Sequence, residues 1–184
     1  YIFILFAQAI LISLTGNSQI FFEDFSSGNL DLFINIDNDS DGYIWQNVNS
    51  GIEGQENVAM SESWIDTVGP VTPDNWLISP AIDLTTSTGN LQISWKVYAP
   101  DQNWVTENYS VYISSANTIS AFLNTSPVFN EVLTTSQGFM SRSVDITNYS
   151  GDIIYFAFRH HDVQDVHLMY IDDIEVKEIN NNYT

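Results

Sequence analysis

Apolar and polar side chains alternate in several short runs of this chain, a pattern typical of half-buried β-strands. Positions 91–97, 109–114 and 168–176 each place apolar residues on one face and more polar residues on the other. The run Ile153–Phe158 is apolar on both faces, which predicts a central strand. One short helix is expected around Ser120–Leu123. Because turn-forming residues separate the runs, the sequence predicts an all-β protein, a β-sandwich of the jelly-roll type.

The start of the chain has a different character, because residues 1–18 carry no charge and are mostly apolar from Ile2 to Ile12. Gly16 and Ser18 provide the small-residue spacing of a signal-peptide cleavage site. The apolar run is shorter than the ~20 residues that a membrane-spanning helix needs. A short buried strand or helix is the alternative. We expect three regions: a signal peptide at 1–18, a jelly-roll domain at 19–178, and a tail or linker at 179–184.

The charge balance limits the partners that the chain can have. It carries 23 acidic and 4 basic residues, a formal charge of -19, so a stripe of lysine and arginine for nucleic acid is excluded. Docking on anionic lipid and insertion into a membrane are not expected either. The absence of cysteine excludes thiol nucleophiles, thiolate metal sites and disulfides. Apolar residues make up 44% of the chain, which is enough for a sizeable core.

A first candidate metal site lies in the segment 37–42. Asp37, Asp39 and Asp41 occupy alternate positions before Gly42, and carboxylate oxygens are the ligands that Ca²⁺ prefers. Gly42 would permit a tight bend. An EF-hand is excluded because its twelfth loop position, normally Glu, is Val48. A calcium loop between strands remains, with a solvated acidic turn as the alternative.

A second candidate site would join the two ends of the domain. In the alternation of the last strand, Asp172 shares the core face of Leu168 and Tyr170, and a buried carboxylate requires a partner. If the first and last strands pair, Glu23 or Asp24 would lie near Asp172 or Asp173. A cation bridging these acids would explain their burial. The alternative is that one acid faces solvent and the other caps a turn.

Other candidate chemistry is weaker. The segment Arg159–His167 holds three histidines and two aspartates, but their spacing matches no zinc pattern, so a polar corner with Arg159 paired to an acid is favoured. No Gly-x-Ser-x-Gly elbow accompanies the histidines, and no carboxylate pair stands out, so we expect no enzyme activity. Trp95 should be buried, whereas Trp104 lies in a polar loop and is the best exposed candidate for stacking on a sugar.

Several motifs together resemble the cleaved-adhesin domains, which occur in gingipain haemagglutinin/adhesin regions, and the related choice-of-anchor-J domains. The segment Pro73–Pro80, PDNWLISP, is very similar to the family's most specific signature, PDNWLITP. Four further segments resemble family motifs in the same order: Ile36–Gly42 with Trp45 (IDADGDG…W), Ser61–Trp64 (S-x-S-W), Glu107–Ser114 (E-x-Y-x-V-Y-x-S), and Phe158–His160 with Ile171–Ile174 (FRH…DDI). The resemblance runs from about Phe22 to Val176.

This resemblance implies a jelly roll similar to carbohydrate-binding modules and MAM domains, with Ca²⁺ at both acidic clusters. It also implies export to the exterior of a bacterium, usually with a C-terminal sorting domain for type IX secretion. No such domain follows Lys177, so we expect a fragment, a truncated gene or a protein held outside by other means. The implied function is a non-enzymatic, secreted or cell-surface adhesin-type module that binds a host or cell-surface protein or glycan. The alternatives are a carbohydrate-binding module of a larger secreted enzyme and a structural spacer.

Overall fold

Two antiparallel sheets of six strands face each other in the computed structural model, which describes residues 18–179. The strands are β1 (Ser18–Glu23), β2 (Ile34–Asp37), β3 (Gln46–Ile52), β4 (Gln55–Glu62), β5 (Trp64–Ile65), β6 (Gly69–Pro70), β7 (Asn75–Ile78), β8 (Ile82–Asp83), β9 (Asn90–Tyr98), β10 (Asn108–Ser114), β11 (Phe129–Val132), β12 (Met140–Asp145), β13 (Ile153–His160) and β14 (Leu168–Ile179). Helical structure within these residues is limited to α1 (Ile119–Leu123) and a 3₁₀ turn (Thr147–Tyr149).

The strand order confirms the predicted jelly-roll sandwich. One sheet has the order β12-β9-β14-β4-β3, with β1 also paired to β14, so the first and last strands pair as expected. The other has the order β11-β10-β13-β7-β2, with β8 also paired to β13. β5 and β6 form a separate two-stranded ladder. Apart from Ser18, which begins β1, the predicted signal peptide lies outside the described residues. No helix within residues 18–179 is long and apolar enough to cross a membrane.

The core between the sheets follows the predicted alternation. In β9 the apolar positions are buried and the polar positions face outward, and Trp95 is packed edge-on against Phe129 and Phe158. β13 is buried on both faces because Phe156 and Phe158 pack in the core between the sheets, and a second apolar cluster, which includes Trp76 and Phe122, covers its outer side. The short helix α1 contributes Phe122 to that cluster.

The phase predicted for the last strand is wrong in its first half. The core residues of β14 are Met169 and Ile171 before a bulge, and Ile174 and Val176 after it, rather than one continuous alternate set. The bulge falls at Asp172–Asp173, where Asp173 has a φ of 46°. An extra residue in one strand reverses the faces that follow, and single-strand periodicity does not reveal it. Asp172 is nevertheless buried, with 2% of its surface exposed.

One end of the sandwich carries most of the polar features that follow, and we call it the loop end. β2, β4, β9 and β13 finish there, and β7, β10 and β14 begin there, as the antiparallel registers require. Segments far apart in sequence therefore meet at the loop end: the loops after β2, β5, β9 and β13.

Candidate functional site

The acidic segment 37–42 forms a tight loop directly after β2. Asp37, Asp39 and Asp41 each offer a carboxylate oxygen, and these three atoms lie within 4.8 Å of one another. The carboxylate of Asp37 accepts hydrogen bonds from the backbone N–H groups of Ser40, at 2.6 Å, and Gly42, at 2.8 Å. Ser40 and Gly42 both have positive φ, 63° and 89°, which closes the turn. The three aspartates singled out in the sequence therefore do form a carboxylate cluster. The cluster lies between strands β2 and β3 rather than between helices.

The three carboxylates repel one another when all are charged. Burial and the hydrogen bond shared with Asp37 raise the pKa of Asp39 to about 6, and the nearby charge of Asp41 adds to this. Burial also acts on Asp37, but hydrogen bonds from Asp39 and from the loop backbone lower its pKa. A proton shared between two close carboxyl groups indicates a place where a cation would relieve repulsion. All the side-chain donors here are hard oxygens, which fit Ca²⁺ or Mg²⁺ and not a soft metal.

The segment that contains Asp74 and Trp76 anchors this loop. The guanidinium of Arg159 donates to both carboxylate oxygens of Asp74, at 2.6 and 3.0 Å, and lies 5.1 Å from the Trp76 ring centroid. Asp74 also accepts from the indole N–H of Trp76 and from the amide of Asn38, which is the second residue of the loop. The predicted pairing of Arg159 with an acid is therefore confirmed, and its partner is Asp74.

Replacing Arg159 by lysine tests this anchor. We expect Arg159→Lys to destabilise the domain by about 1–2 kcal/mol, because an ammonium group cannot make the two parallel bonds to Asp74 while stacking on Trp76. The urea midpoint measures the loss. Lys177→Arg at the partly exposed Lys177–Glu175 pair is the control and should change stability by less than about 0.5 kcal/mol. Equal urea midpoints for the two variants would contradict the stabilising role assigned to the contacts of Arg159 with Asp74 and Trp76.

The second acidic cluster is only partly assembled. Glu23 lies opposite Ile174 in the β1–β14 ladder. Burial raises the pKa of Asp172 to about 7, and the charges of Asp173 and Asp24 act in the same direction. Asp173 is instead 2.7 Å from the ammonium of Lys96. Within residues 18–179 the only group of three such side chains with ligand atoms inside 4.8 Å is that of the first loop.

A cleft lined by two tryptophans opens at the loop end, where the loops after β5, β9 and β13 meet. It has a volume of about 320 Å³, and we call it the Trp cleft; its lining comprises Trp64, Asp66, Asp101, Trp104, Asp165, Val166 and His167. Trp104 is 51% exposed, as the sequence predicted, whereas Trp95 is buried. The sequence did not predict that Trp64 and His167 share a cavity with Trp104, because the three residues lie on segments that are far apart in the sequence.

A buried polar network that the sequence did not reveal links the two sheets. His160 lies 2.8 Å from Ser61 through Nδ1 and 2.8 Å from Glu107 through Nε2. Glu107 also accepts from the hydroxyl of Ser63 and the backbone N–H of His167, both at 2.8 Å. Ser61, Glu107 and His160 are each at most 1% exposed. These three groups match a Ser-His-acid set chemically, but a nucleophile that no substrate can reach cannot attack one.

A second Ser-His-acid array lies on the outer face of the sheet that contains β10 and β13. His161 bonds the Ser110 hydroxyl through Nε2, at 2.8 Å, and the Asp162 carboxylate through Nδ1, at 2.9 Å. Burial lowers the pKa of His161. His161 and Asp162 line a depression of about 400 Å³, but the Ser110 side chain does not, and Ser110 is 1% exposed. His160 and His161 therefore hydrogen-bond to buried serine hydroxyl groups. Within the described residues, the three histidines do not converge on a zinc site.

Comparisons with known proteins agree with this architecture. The Cleaved Adhesin Domain family matches residues 18–176. Lys-gingipain of Porphyromonas gingivalis is 34% identical over 173 residues, which cover 84% of this chain and 10% of that protein. The chain therefore spans about a tenth of the length of the curated relatives it matches.

Solved structures show the same fold. The K3 cleaved adhesin domain of Lys-gingipain from Porphyromonas gingivalis superposes with a TM-score of 0.75 at 31% identity, covering 88% of this chain and 99% of that domain. TmCBM61 in complex with β-1,4-galactotriose superposes with a TM-score of 0.58, covering 85% of this chain and 94% of that module. At 10% identity the second likeness concerns the fold alone.

Proposed function

The chain belongs to the cleaved adhesin family, and from that premise we propose that it is a secreted, non-enzymatic module that attaches to a host or cell-surface protein. The observation that carries this proposal is the family match over residues 18–176, nearly the whole of the described domain. The matched family is defined by its adhesin region, not by a peptidase. The solved K3 cleaved adhesin domain of Lys-gingipain covers 88% of this chain.

The polar chemistry of the domain supports a binding role rather than turnover. Both Ser-His-acid arrays keep the serine hydroxyl at 1% exposure, and the chain has no cysteine. Hydrolysis through serine or cysteine requires an accessible nucleophile beside an oxyanion site. Surface acids in turns, by contrast, are compatible with a module that only binds.

Calcium would brace the loop end in this proposal. Asp37, Asp39 and Asp41 are the residues that would hold one ion, because their oxygens converge and their charges lack a neutralising cation from the chain. All four lysine and arginine side chains are paired elsewhere, with Asp173, Glu131, Asp74 and Glu175. Bound Ca²⁺ would supply positive charge and fix the loop, and no chemical step would pass through it.

Asp172 would hold a second ion together with Asp24 and Glu23. Burial raises the pKa of its carboxyl group to about 7, and the acids around it include Asp24. Asp173 is the least suited of the four, because Lys96 already neutralises it. The donor set is again hard oxygen, so calcium is the cation that fits.

Glycan binding is the second candidate, and a groove on the outer face of the β9–β14 sheet favours it. The groove has a volume of about 490 Å³ and combines the donors Lys96 and Lys177 with acceptors such as Glu175. Phe22 lines it and is 44% exposed, so a ring is available for a sugar face. A mixture of donors and acceptors suits hydroxyl groups, which do both.

The proposal is tested by measuring saturable binding of the protein, in calcium, to host cells and immobilised matrix proteins. Turnover on peptide, ester and glycoside substrates is measured with the same preparation. We expect binding without turnover. Retention on polysaccharides that Phe22→Ala abolishes would favour the glycan candidate, and binding to no cell, matrix protein or glycan would contradict both.

A further inference from the structure

The five tryptophans divide into two groups by their surroundings. Trp45, Trp76 and Trp95 are at most 1% exposed, and each lies against other rings. Their indole N–H groups donate to acceptors inside the protein. Trp64 and Trp104 differ, because within residues 18–179 neither stacks on another ring and both line the Trp cleft. Two large aromatic faces are therefore left available to a ligand at one place.

Three of the seven side chains that line the Trp cleft are acidic. Asp66, Asp101 and Asp165 contribute carboxylates, which accept hydrogen bonds but do not donate them when ionised. His167 is the only basic side chain of the lining, and its Nδ1 lies 3.8 Å from Asp101. Since each lysine and arginine of the chain is paired with an acid elsewhere, none of them neutralises this cavity.

The negative charge extends beyond the cavity walls. Burial raises the pKa of the adjacent Glu62, and the charge of Asp66 raises it further while His167 opposes it. The acidic loop at Asp37–Asp41 also lies at the loop end. A cationic group approaching from this side therefore meets an attractive field and carboxylate oxygens that can accept its hydrogen bonds.

We infer that the Trp cleft binds a positively charged side chain, an arginine or lysine presented by a partner protein. Such a group is positively charged and only donates hydrogen bonds, which matches the three carboxylates of the lining, and it is attracted to the faces of indole rings. A neutral sugar carries no charge that would pair with these three carboxylates. The inference rests on the proposed binding function and names the chemistry of the partner.

Tryptophan indole N–H signals in an NMR titration test the inference. The protein, in calcium, is titrated with N-acetyl-Gly-Arg-Gly-amide, its lysine counterpart, and a counterpart in which uncharged citrulline replaces arginine. We expect the signals of Trp64 and Trp104 to shift, with a Kd on the order of 1 mM. The signals of the three buried tryptophans should stay in place as internal controls. The citrulline peptide should bind at least about tenfold more weakly.

Variants separate charge from shape. Asp66→Asn and Asp101→Asn keep the hydrogen-bonding shape and should each weaken binding about two- to fivefold, and Trp104→Ala should abolish it. Glu53→Gln removes one exposed charge at the far end of β4, and Leu123→Ala removes an exposed apolar side chain on α1, so neither should change binding. Equal binding of the arginine and citrulline peptides would overturn the inference, as would shifts produced by xylohexaose but not by the arginine peptide.

The same variants distinguish failure of this inference from failure of the proposed function. Cell attachment that survives Trp104→Ala unchanged would overturn the inference and leave the adhesin function standing. Peptide binding in the cleft by a protein that attaches to no cell or matrix protein would support the inference and overturn the function.

Discussion

Glu107→Ala is expected to destabilise the domain by about 3–5 kcal/mol, a large part of the stability of an ordinary domain. The substitution leaves His160 Nε2, the Ser63 hydroxyl and the backbone N–H of His167 without their shared acceptor in a buried site. Equilibrium unfolding in urea measures the loss, and circular dichroism checks that the variant folds.

Two controls show that the effect belongs to the buried network. Glu107→Gln keeps the shape and one acceptor, so it should cost less than the alanine variant. Asp152→Ala removes an exposed acid and should change stability by less than about 0.5 kcal/mol. A loss below about 1 kcal/mol for Glu107→Ala would contradict the structural role assigned to this network.

Withdrawal of calcium is expected to produce the second large effect, on the proposal that calcium binds both acidic clusters. Calcium at a hundred times its Kd adds about 2.7 kcal/mol per site, so chelation should lower Tm by roughly 5–10 °C for each site that was occupied. Asp39→Ala should reduce the calcium-dependent rise, because it removes a converging carboxylate from the first loop. The measurement is Tm in calcium and in EGTA. Identical Tm values in the two buffers would contradict both proposed sites.

Asp172→Asn should reverse its effect between the two buffers. At pH 8 without calcium the buried carboxylate is charged at a cost, so removing that charge should stabilise the domain by about 2 kcal/mol. In saturating calcium the same substitution removes a ligand and should destabilise it. Asp152→Asn, which removes one exposed charge, is the matched control and should act alike in both buffers. The same sign in both buffers would contradict a calcium role for Asp172.

The pH dependence without calcium has a definite sign. The folded-state pKa of Asp172, about 7, lies above its ordinary value of 3.8, so the folded protein holds this proton more tightly than the unfolded chain does. The contribution of this group to stability is therefore complete below about pH 4 and is lost as pH rises through 7. Calcium would oppose this dependence, because it binds only the ionised carboxylate and competes with the proton.

Features encoded by neighbouring residues could be predicted from the sequence. The alternation in 91–97 gives β9 because one face of the strand is buried, and Asp37, Asp39 and Asp41 cluster because one short turn holds all three. Each of these depends on the chain over a few residues. The pairing of the first and last strands was also predictable, because a jelly roll commonly closes that way.

Features that depend on distant segments could not be predicted. The bulge at Asp172–Asp173 reverses the faces of β14, and nothing in the local alternation marks it. The contact between His160 and Glu107 joins residues 53 positions apart. The Trp cleft forms where the loops after β5, β9 and β13 meet. The sequence therefore indicates only that Trp104 is exposed, and it does not indicate that Trp64 lines the same cleft.

Attachment of the fluorescently labelled protein to host cells, measured first in calcium, then in EGTA and then after calcium is restored, tests the central claim most directly. The account predicts saturable attachment in calcium that falls in EGTA and returns with calcium, because the braced loop end carries the Trp cleft. Absence of saturable attachment in calcium, by protein that circular dichroism shows to be folded, would contradict it.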